Sequence, residues 1–424
     1  MPLRLLTFAL AAFLATLPAF GAAQSTSQGA ALNHGFSTAR LARIDGFLQE
    51  YVDSNRIAGA VALVLRDGAV VYERAVGWSV KGERRMTPNA MFRIASQTKA
   101  LTSIAAMMLV EEGKIALNNP VSRFIPAFAK TTVATRGESG AQVVPASREI
   151  TVRDLLTHTS GYSYGTDSVV GREYAARGLG PAAGFGWYTA DKDEPICATM
   201  ETLASLPAVR QPGAEWVYGY NIDILGCVVE RASGMPLDEF IRTRITRPLG
   251  MVDTYFFVPM TDRQRVVAVY ASDSTNHAAR APEGAKGQGH YIEGPRRSFA
   301  GGAGLVSTAR DYGRLLQMLL NGGELNGVRL LSPKTVELMT SNQVDTLYPQ
   351  RGMGFGFGFS IVQRPGADNT LASVGAYGWG GAYGSQYRVD PKERIVLVFM
   401  INQLPNRTDI ASKFPNLVYQ ALVR

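Results

Sequence analysis

Ser96-Gln97-Thr98-Lys99 opens an apolar run that continues through Val110 and ends at Glu111-Glu112-Gly113. The run predicts a buried helix, because a glycine just past the last apolar residue is typical of a helix C-terminus. On such a helix, side chains three positions apart share a face, so the Ser96 hydroxyl and the Lys99 amine are expected to meet. An amine held in apolar surroundings can take a proton from a serine hydroxyl at neutral pH. Ser96 is therefore a candidate nucleophile, although an isolated Ser-x-x-Lys is more often a solvated helix turn.

Composition and the N-terminal segment indicate an exported globular protein. The chain has 424 residues, of which 46% are hydrophobic and 18% are charged. Residues 1–23 start with a short basic segment, continue as an apolar stretch and end in small residues, which predicts a signal peptide cleaved near Ala23. An uncleaved anchor is the alternative, but the apolar stretch is shorter than the ~20 residues of a spanning helix. We expect the mature protein, residues 24–424, in the periplasm or outside the cell, with no later membrane span.

The basic character of the chain does not indicate nucleic-acid binding. The net charge is +8, but the basic residues are scattered, and the densest doublets are Arg84-Arg85 and Arg296-Arg297. No run of Lys and Arg is interleaved with aromatic residues as it would be on a nucleic-acid-binding face. We therefore expect no nucleic-acid partner.

Histidine and cysteine are too sparse for a metal site. The histidines are His34, His158, His277 and His290. They are isolated and lack the spacing of a coordination shell, so we expect no metal and no other cofactor. We expect His158 to be a buried hydrogen-bonding residue. Cys197 and Cys227 could form one disulfide in an oxidising compartment, or Cys227 could be a buried free thiol.

Predicted strands lie near both ends of the chain, with helices between them. Residues 58–65 and 70–76 flank Asp67-Gly68, a dipeptide typical of a β-hairpin turn. Further strands are predicted over 354–359, 383–390 and 395–402, and helices over 39–51, 308–320 and 414–423. This order predicts an α/β (α+β) fold with one antiparallel sheet built from both chain ends, flanked by helices, and an inserted, mostly helical lobe. We assign the sheet lobe to about residues 38–120 and 305–424 and the helical lobe to about residues 121–304.

Three separated segments strengthen the case for Ser96. They are Phe92-Arg93-Ile94-Ala95-Ser96-Gln97-Thr98-Lys99, Tyr218-Gly219-Tyr220-Asn221-Ile222-Asp223-Ile224-Leu225-Gly226 and Gly378-Trp379-Gly380-Gly381-Ala382-Tyr383-Gly384. Between them fall Leu155-Leu156-Thr157-His158-Thr159-Ser160-Gly161 and Gly301-Gly302-Ala303-Gly304-Leu305-Val306-Ser307-Thr308. In order and spacing, these motifs resemble the serine hydrolases related to class C β-lactamases and penicillin-binding proteins, with their β-lactamase/transpeptidase-like fold. Within that superfamily the chain is most similar to the β-lactamase-fold carboxylesterases, often called family VIII, over about residues 38–420.

The resemblance implies a role for each matching position. Ser96 is the acylated nucleophile, Lys99 holds and activates it, and Tyr218 shares the role of base. A phenol can act as a base only where a cation such as Lys99 stabilises the phenolate. The backbone N–H groups of Ser96 and Ala382 would form the oxyanion hole.

Two departures from the family pattern bear on the substrate. Members that recognise penicillins have Tyr-x-Asn in the second motif, where this chain has Tyr220 in place of the Asn, although a local shift could bring Asn221 in. They have Lys-Thr-Gly or Lys-Ser-Gly in the third motif, where Trp379 replaces a Lys that attracts the substrate's carboxylate. We therefore expect an uncharged, apolar acyl or alcohol group. The predicted substrate-binding residues are Tyr220, Trp379, Gly380, Gly381 and Tyr383.

Ser163 is a competing nucleophile, because Gly161-Tyr162-Ser163-Tyr164-Gly165 fits the Gly-x-Ser-x-Gly elbow of α/β-hydrolases. That elbow needs a strand before the serine and a helix after it, with Asp and then His downstream. Here a helix and a turn precede the serine and a Gly-rich loop follows it. We expect Ser163 to lie in a loop at the entrance of the site.

The sequence thus predicts a serine hydrolase that cleaves short-chain or otherwise apolar carboxylic esters through a Ser96 acyl-enzyme. One alternative is another reaction of a small ester or amide substrate at the same residues: β-lactam hydrolysis, D-amino-acid peptidase activity or acyl transfer to an alcohol. The other alternative is a catalytically silent binding protein of the cell wall. The presence of Ser96, Lys99 and Tyr218 argues against it.

Overall fold

The computed structural model describes residues 32–137, 140–180, 192–284 and 287–424, together with Pro2. Apart from that proline, the predicted signal peptide lies outside the described residues, and export remains a prediction. Within the described ranges, no helix combines the length and the apolar character that crossing a bilayer requires.

The secondary structure alternates short strands with helices of up to four turns. In chain order the strands are β1 (Leu32–Asn33), β2 (Phe36–Ser37), β3 (Gly59–Arg66), β4 (Ala69–Val80), β5 (Arg84–Arg85), β6 (Phe92–Arg93), β7 (Thr132–Gly137), β8 (Gly140–Pro145), β9 (Tyr270–Ser272), β10 (Ala278–Arg280), β11 (Val306–Ser307), β12 (Glu324–Leu325), β13 (Val328–Arg329), β14 (Met353–Phe355), β15 (Ser360–Val362), β16 (Tyr377–Gly380), β17 (Gln386–Asp390) and β18 (Ile395–Met400). The α-helices are α1 (Thr38–Asp53), α2 (Thr98–Glu111), α3 (Val152–Leu156), α4 (Gly171–Ala176), α5 (Ile196–Ala204), α6 (Asn221–Ser233), α7 (Leu237–Ile241), α8 (Ala309–Leu320), α9 (Pro333–Met339) and α10 (Ile410–Tyr419).

Eight strands from both chain ends form one antiparallel sheet with the order β14-β15-β16-β17-β18-β3-β4-β5. The two ends meet where β18 pairs with β3, with Met400 opposite Val61. The hairpin between β3 and β4 turns at Asp67 and Gly68, whose φ angles of 50° and 82° suit a two-residue hairpin turn. The predicted antiparallel sheet built from both ends is confirmed.

The central strand β3 is buried on both faces of the sheet. Side chains such as Leu63 pack into the core under α2 and α8. The alternate side chains, such as Ala62, pack against α1 and α10 on the other face. Because neither face of the strand meets water, its residues form an almost continuous apolar run instead of an apolar–polar alternation.

Helix α2 carries the Ser-x-x-Lys motif into the core. It begins at Thr98, after a 3₁₀ turn over Ala95–Gln97, so Ser96 stands just before the helix. The residues from Thr98 to Leu109 are all buried, and α2 packs against α6. Gly113 follows the helix with a φ of 71°, as the sequence predicts for its C-terminus.

Two strand predictions near the C-terminus need correction. Residues 354–359 do not form one strand, because the chain turns after β14, with Gly358 at a φ of 93°, and returns as β15. Residues 383–385 belong to a tight turn in which the Gly381 N–H donates to the Ser385 carbonyl at 2.7 Å, so β17 begins only at Gln386. In both places a backbone reversal interrupts a pattern that resembles a single strand.

The last helix begins four residues earlier than predicted. Helix α10 covers Ile410–Tyr419, and Pro415 lies inside it, not in its first turn. Ile410, Phe414 and Val418 are spaced four apart and share the buried face. Packing of Ile410 in the core therefore stabilises the first turn of the helix, ahead of the predicted start.

The middle of the chain contains the helices α3 to α7, of which α6 is the longest. A disulfide joins Cys197 of α5 to Cys227 of α6, with the Cα atoms 5.0 Å apart. The structure thus favours the disulfide over the free thiol. The division into a sheet lobe and a helical lobe at residues 120 and 305 remains a prediction.

Candidate active site

Lys99 lies at the centre of a buried polar cluster. Its side chain is 1% exposed. The amine donates to Ser96 Oγ at 3.2 Å, to the Tyr164 hydroxyl at 2.9 Å and to the Gly302 carbonyl at 2.8 Å. An ammonium group has three N–H donors, so these three acceptors satisfy the cationic form of the side chain.

Ser96 is presented by an unusual backbone turn. Ala95, directly before it, has a φ of 43°, in a region that costs a residue with a Cβ atom roughly 1–2 kcal/mol. Gly381, directly after strand β16, contacts the same turn. It packs so closely on residue 94 that a Cβ atom would lie 2.4 Å from the Ile94 carbonyl oxygen. The absence of a side chain at Gly381 therefore lets the third motif approach Ser96.

Tyr218 joins the second motif to this cluster. Its ring centroid lies 4.7 Å from Lys99 Nζ. Its hydroxyl accepts a hydrogen bond of 3.2 Å from Trp379 Nε1 on β16. The structure therefore brings Ser96, Lys99 and Tyr218 together, as the sequence predicts, with Trp379 at the same place.

Asp223 lies behind Lys99, on the far side of Gly302. Its carboxylate is fully buried, and Oδ1 accepts a hydrogen bond of 3.0 Å from the Gly302 N–H. Burial raises the pKa of Asp223 to about 6, and the nearby Lys99 cation opposes this shift. Asp223 is not among the site residues predicted from the sequence, although a carboxylate inside the apolar run Ile222–Leu225 is itself a signal.

Tyr164 is the second residue of the site that no sequence motif predicted. Its side chain is 6% exposed, and its hydroxyl accepts from Lys99. The residue belongs to Gly161-Tyr162-Ser163-Tyr164-Gly165, which drew attention only as a competing nucleophile motif.

Ser163 does not have the surroundings of a nucleophile elbow. Its hydroxyl donates to Asp167 Oδ2 at 2.6 Å and accepts from the Gly165 N–H at 3.0 Å, as in a side-chain-stabilised turn. In the described chain the preceding regular element is helix α3, not a strand, and the next helix starts only at Gly171. These contacts give Ser163 a structural role in the loop.

Two of the predicted substrate-binding side chains are buried, which corrects the expectation for them. Tyr220 is 0% exposed, and its hydroxyl accepts from the Gly180 N–H at 2.9 Å. Tyr383 is 1% exposed and packs with Ala95 and Val269. A buried side chain presents no surface to a substrate, so both residues support the site from behind.

The other predicted binding residues keep part of their surface open. Trp379, Gly380 and Gly381 are partly exposed, and Ala382 is exposed. Asn221 is not shifted into the site. Its amide accepts from Ser160 Oγ at 2.5 Å and donates to the Val217 carbonyl at 3.1 Å, so it is used within the fold.

His158 is buried, as predicted, but within the described part of the chain it makes none of the expected side-chain hydrogen bonds. Neither ring nitrogen has a hydrogen-bond partner among the residues that the structure describes. Burial, with a further contribution from Lys99, lowers the pKa of His158 well below its usual value. The neutral ring packs instead against Tyr218 at a centroid distance of 4.9 Å.

Known proteins with similar sequences and structures identify the family of this chain. A family model described as β-lactamase matches residues 44–421. Esterase EstB of Burkholderia gladioli is 32% identical over 378 residues, covering 85% of this chain and 90% of that protein. A putative D-alanyl-D-alanine carboxypeptidase of Salmonella typhimurium is 28% identical over 429 residues, covering 94% of this chain and 89% of that protein.

A solved structure extends the comparison to the fold. EstCE1, described as a hydrolase with promiscuous acyltransferase activity, matches with a TM-score of 0.75 at 27% identity, covering 91% of this chain and 99% of that one. The family match, the esterase relative and the shared fold agree with one another. The protein is a serine hydrolase of the β-lactamase family.

Proposed function

We propose that this protein hydrolyses carboxylic esters with apolar acyl or alcohol groups through an acyl-enzyme on Ser96. The observation that carries the proposal is Trp379, which stands where penicillin-recognising members of the family have a lysine. An indole carries no charge and has a single N–H donor, which here is engaged by the Tyr218 hydroxyl. The position offers no cation to a substrate carboxylate and suits a neutral ester instead. The esterase relative EstB supports this choice.

In the proposed reaction, Ser96 Oγ attacks the ester carbonyl, the alcohol leaves, and water then hydrolyses the acyl-enzyme. In this proposal Lys99, whose amine lies within hydrogen-bond distance of Ser96 Oγ, the Tyr164 hydroxyl and the Gly302 carbonyl, is the cation that stabilises the Tyr218 phenolate. Tyr218, whose ring lies 4.7 Å from that cation, takes the serine proton and delivers it to the leaving alcohol.

The oxyanion of the tetrahedral intermediate accepts hydrogen bonds from the backbone N–H groups of Ser96 and Ala382. The close approach of Gly381 to the Ile94 carbonyl supports this assignment, because it holds residue 382 beside the turn that carries Ser96. Loss of one such donor typically costs about 10²–10³ in rate.

The test compares p-nitrophenyl butyrate with a chromogenic cephalosporin. Wild type should turn over the ester with the higher kcat/KM, and Ser96→Ala should lower ester turnover by about 10³-fold or more. Ser163→Ala is the matched control and should stay within a few-fold of wild type, because that hydroxyl bonds to Asp167 and Gly165 and not to the candidate catalytic groups among the residues that the structure describes.

Faster turnover of the lactam than of the ester would make the protein a β-lactamase. A fluorophosphonate probe covers the case of a catalytically silent binding protein. If folded wild type takes no label, the proposal of an acyl-enzyme on Ser96 is rejected. Labelling that disappears in Ser96→Ala would support the proposal.

A second candidate reaction is acyl transfer from Ser96 to an alcohol in place of water. The neighbour EstCE1 is described as having promiscuous acyltransferase activity. Partly exposed rings of Trp216 and Tyr348 near Tyr218 suit an apolar alcohol better than water. If transfer occurs, rising concentrations of 1-butanol with vinyl butyrate should increase the ratio of butyl butyrate to butyrate. Butyrate as the sole product at every concentration would reject it.

Export is a separate proposal, and the disulfide supports it. The bond between Cys197 and Cys227 is of the kind that persists in oxidising compartments such as the periplasm. N-terminal sequencing of the protein recovered from a periplasmic extract should find a start near residue 24. Recovery of the intact residues 1–23 from that extract would contradict cleavage.

A further inference from the structure

Six aromatic rings lie in contact beside the candidate catalytic residues, and we call this group the aromatic cluster. Its members are His158, Trp216, Tyr218, Tyr348, Phe355 and Trp379. They come from the segment after α3, the segment before α6, the region of β14 and the strand β16. The tertiary structure, and not their spacing in the chain, brings them together.

Trp216 is the centre of the cluster. Its ring stacks on Tyr218 at a centroid distance of 5.7 Å, with an interplanar angle of 12°. It meets Tyr348 edge-on at 5.0 Å and Trp379 at 6.3 Å. Phe355 supports both tryptophans from below, with a centroid distance of 5.4 Å to each. The rings therefore form one continuous packed surface.

Part of this surface remains open. His158 and Phe355 are buried, whereas Trp216, Tyr218, Tyr348 and Trp379 are each partly exposed. Large apolar rings that stay accessible as a contiguous patch mark a binding surface. The patch reaches the reacting groups, since the Tyr218 ring lies 4.7 Å from Lys99 Nζ.

Charge meets the aromatic cluster at its Lys99 side. Of the cations in the described part of the chain, only Lys99 lies over one of these rings, and its N–H bonds are already engaged. His158 is buried beside that cation, and its lowered pKa keeps the ring neutral at pH 7. A ligand that covers the open rings of Trp216, Tyr348 and Trp379 therefore meets uncharged ring faces and edges.

We propose that the aromatic cluster binds a flat aromatic group of the ester substrate, in preference to an alicyclic group of the same size. The inference rests on the proposed function, because it names the substrate class of the same site. Aromatic pairs gain attraction beyond area burial from the negative ring face and the positive ring edge. A cyclohexyl group buries a similar area without that gain, so we expect about tenfold discrimination.

The first test uses matched esters whose ring is insulated from the carbonyl. In the first pair, methyl 3-phenylpropanoate and methyl 3-cyclohexylpropanoate, the ring is in the acyl group. In the second pair, 2-phenylethyl butyrate and 2-cyclohexylethyl butyrate, the ring is in the alcohol group. The phenyl member of at least one pair should have a kcat/KM about tenfold higher, and that pair identifies the side of the ester that meets the cluster. Ratios near one in both pairs would overturn the proposal.

Variants assign the discrimination to these rings. Trp216→Leu and Tyr348→Leu should each move the phenyl-to-cyclohexyl ratio toward one. The ratio is insensitive to a general loss of catalysis, because both esters share the same chemistry. Trp78→Leu removes another partly exposed tryptophan, on β4, and should leave the ratio unchanged. A ratio unaltered in both cluster variants, with thermal unfolding showing that they fold, would refute the assignment.

A binding measurement separates this inference from the esterase proposal. Calorimetric titration of Ser96→Ala with the same esters gives a Kd that does not depend on turnover. If a phenyl ester binds about tenfold more tightly than its cyclohexyl partner, the aromatic preference of the cluster is supported, even if wild type hydrolyses neither ester. In that case only the esterase proposal would fail. Equal affinities, with Ser96-dependent hydrolysis of 2-cyclohexylethyl butyrate, would refute the aromatic preference and leave the esterase proposal standing.

Discussion

The indole N–H of Trp379 donates a hydrogen bond of 3.2 Å to the hydroxyl of Tyr218. This bond connects the third motif of the chain to the second, directly beside Lys99. A donor at the phenol oxygen stabilises the phenolate form, which is the form that accepts a proton from the serine. Trp379 therefore has two roles in the proposed site: it replaces a cation and it supports the base.

Trp379→Phe keeps an aromatic ring and removes only this N–H. We expect kcat for a neutral ester to fall by about 10- to 100-fold, since a hydrogen bond to a charged group is worth roughly 1.5–3 kcal/mol. Steady-state kinetics with p-nitrophenyl butyrate measure the effect. Trp78→Phe is the matched control, and an unchanged kcat in Trp379→Phe would show that the bond does not support the base.

Tyr164→Phe tests the polar partner of Lys99 that the sequence did not reveal. The substitution keeps the ring and removes the oxygen that accepts from Lys99 at 2.9 Å. One buried N–H of the ammonium then lacks a partner, and we expect kcat to fall about tenfold with little change in KM. Tyr174→Phe is the control, because that hydroxyl bonds to the Pro207 carbonyl at 3.0 Å, away from Lys99. Equal kinetic effects of the two substitutions would count against a role for Tyr164.

Gly302→Ala tests the backbone link between Lys99 and Asp223. A Cβ atom at this position would lie 2.4 Å from Asp223 Oδ2, so either the carboxylate or the Gly302 carbonyl must move. We expect a loss of stability of roughly 1–3 kcal/mol and a lower kcat. Urea unfolding and ester turnover measure the two effects. Gly46→Ala, in an open position of α1, should instead be neutral or slightly stabilising.

Asp223 should make stability depend on pH in a defined direction. Its pKa of about 6 in the folded protein lies above the ordinary value of 3.8, because burial penalises the carboxylate. The contribution of this group is therefore fully present below about pH 4 and is lost as the pH rises through 6, by up to roughly 3 kcal/mol. The Asp223→Asn variant has no titrating group at this position and serves as the reference. Urea unfolding of both proteins at several pH values between 4 and 7 should show wild type losing stability relative to the variant. A constant difference would mean that Asp223 titrates normally.

The local features of this fold follow from the sequence because they depend on neighbouring residues. Three positions separate Ser96 from Lys99, so a helical turn brings the two side chains together whatever surrounds them. Asp67-Gly68 specifies a tight turn, and the turn places β3 beside β4. The order of the three motifs similarly indicates which segments converge.

The partners of Lys99 are a property of the tertiary structure. Tyr164 and Gly302 are 65 and 203 positions away from Lys99, and no spacing rule connects them to it. The same limit explains why Tyr220 and Tyr383 looked like substrate contacts, since a motif position does not specify which way a ring is buried. Close packing among distant elements decides which polar atoms meet and which rings stay open to a ligand. The sequence by itself therefore determined the antiparallel sheet and pointed to Ser96 as the candidate nucleophile, and only the packed structure decided the charge environment and the aromatic surface of the candidate site.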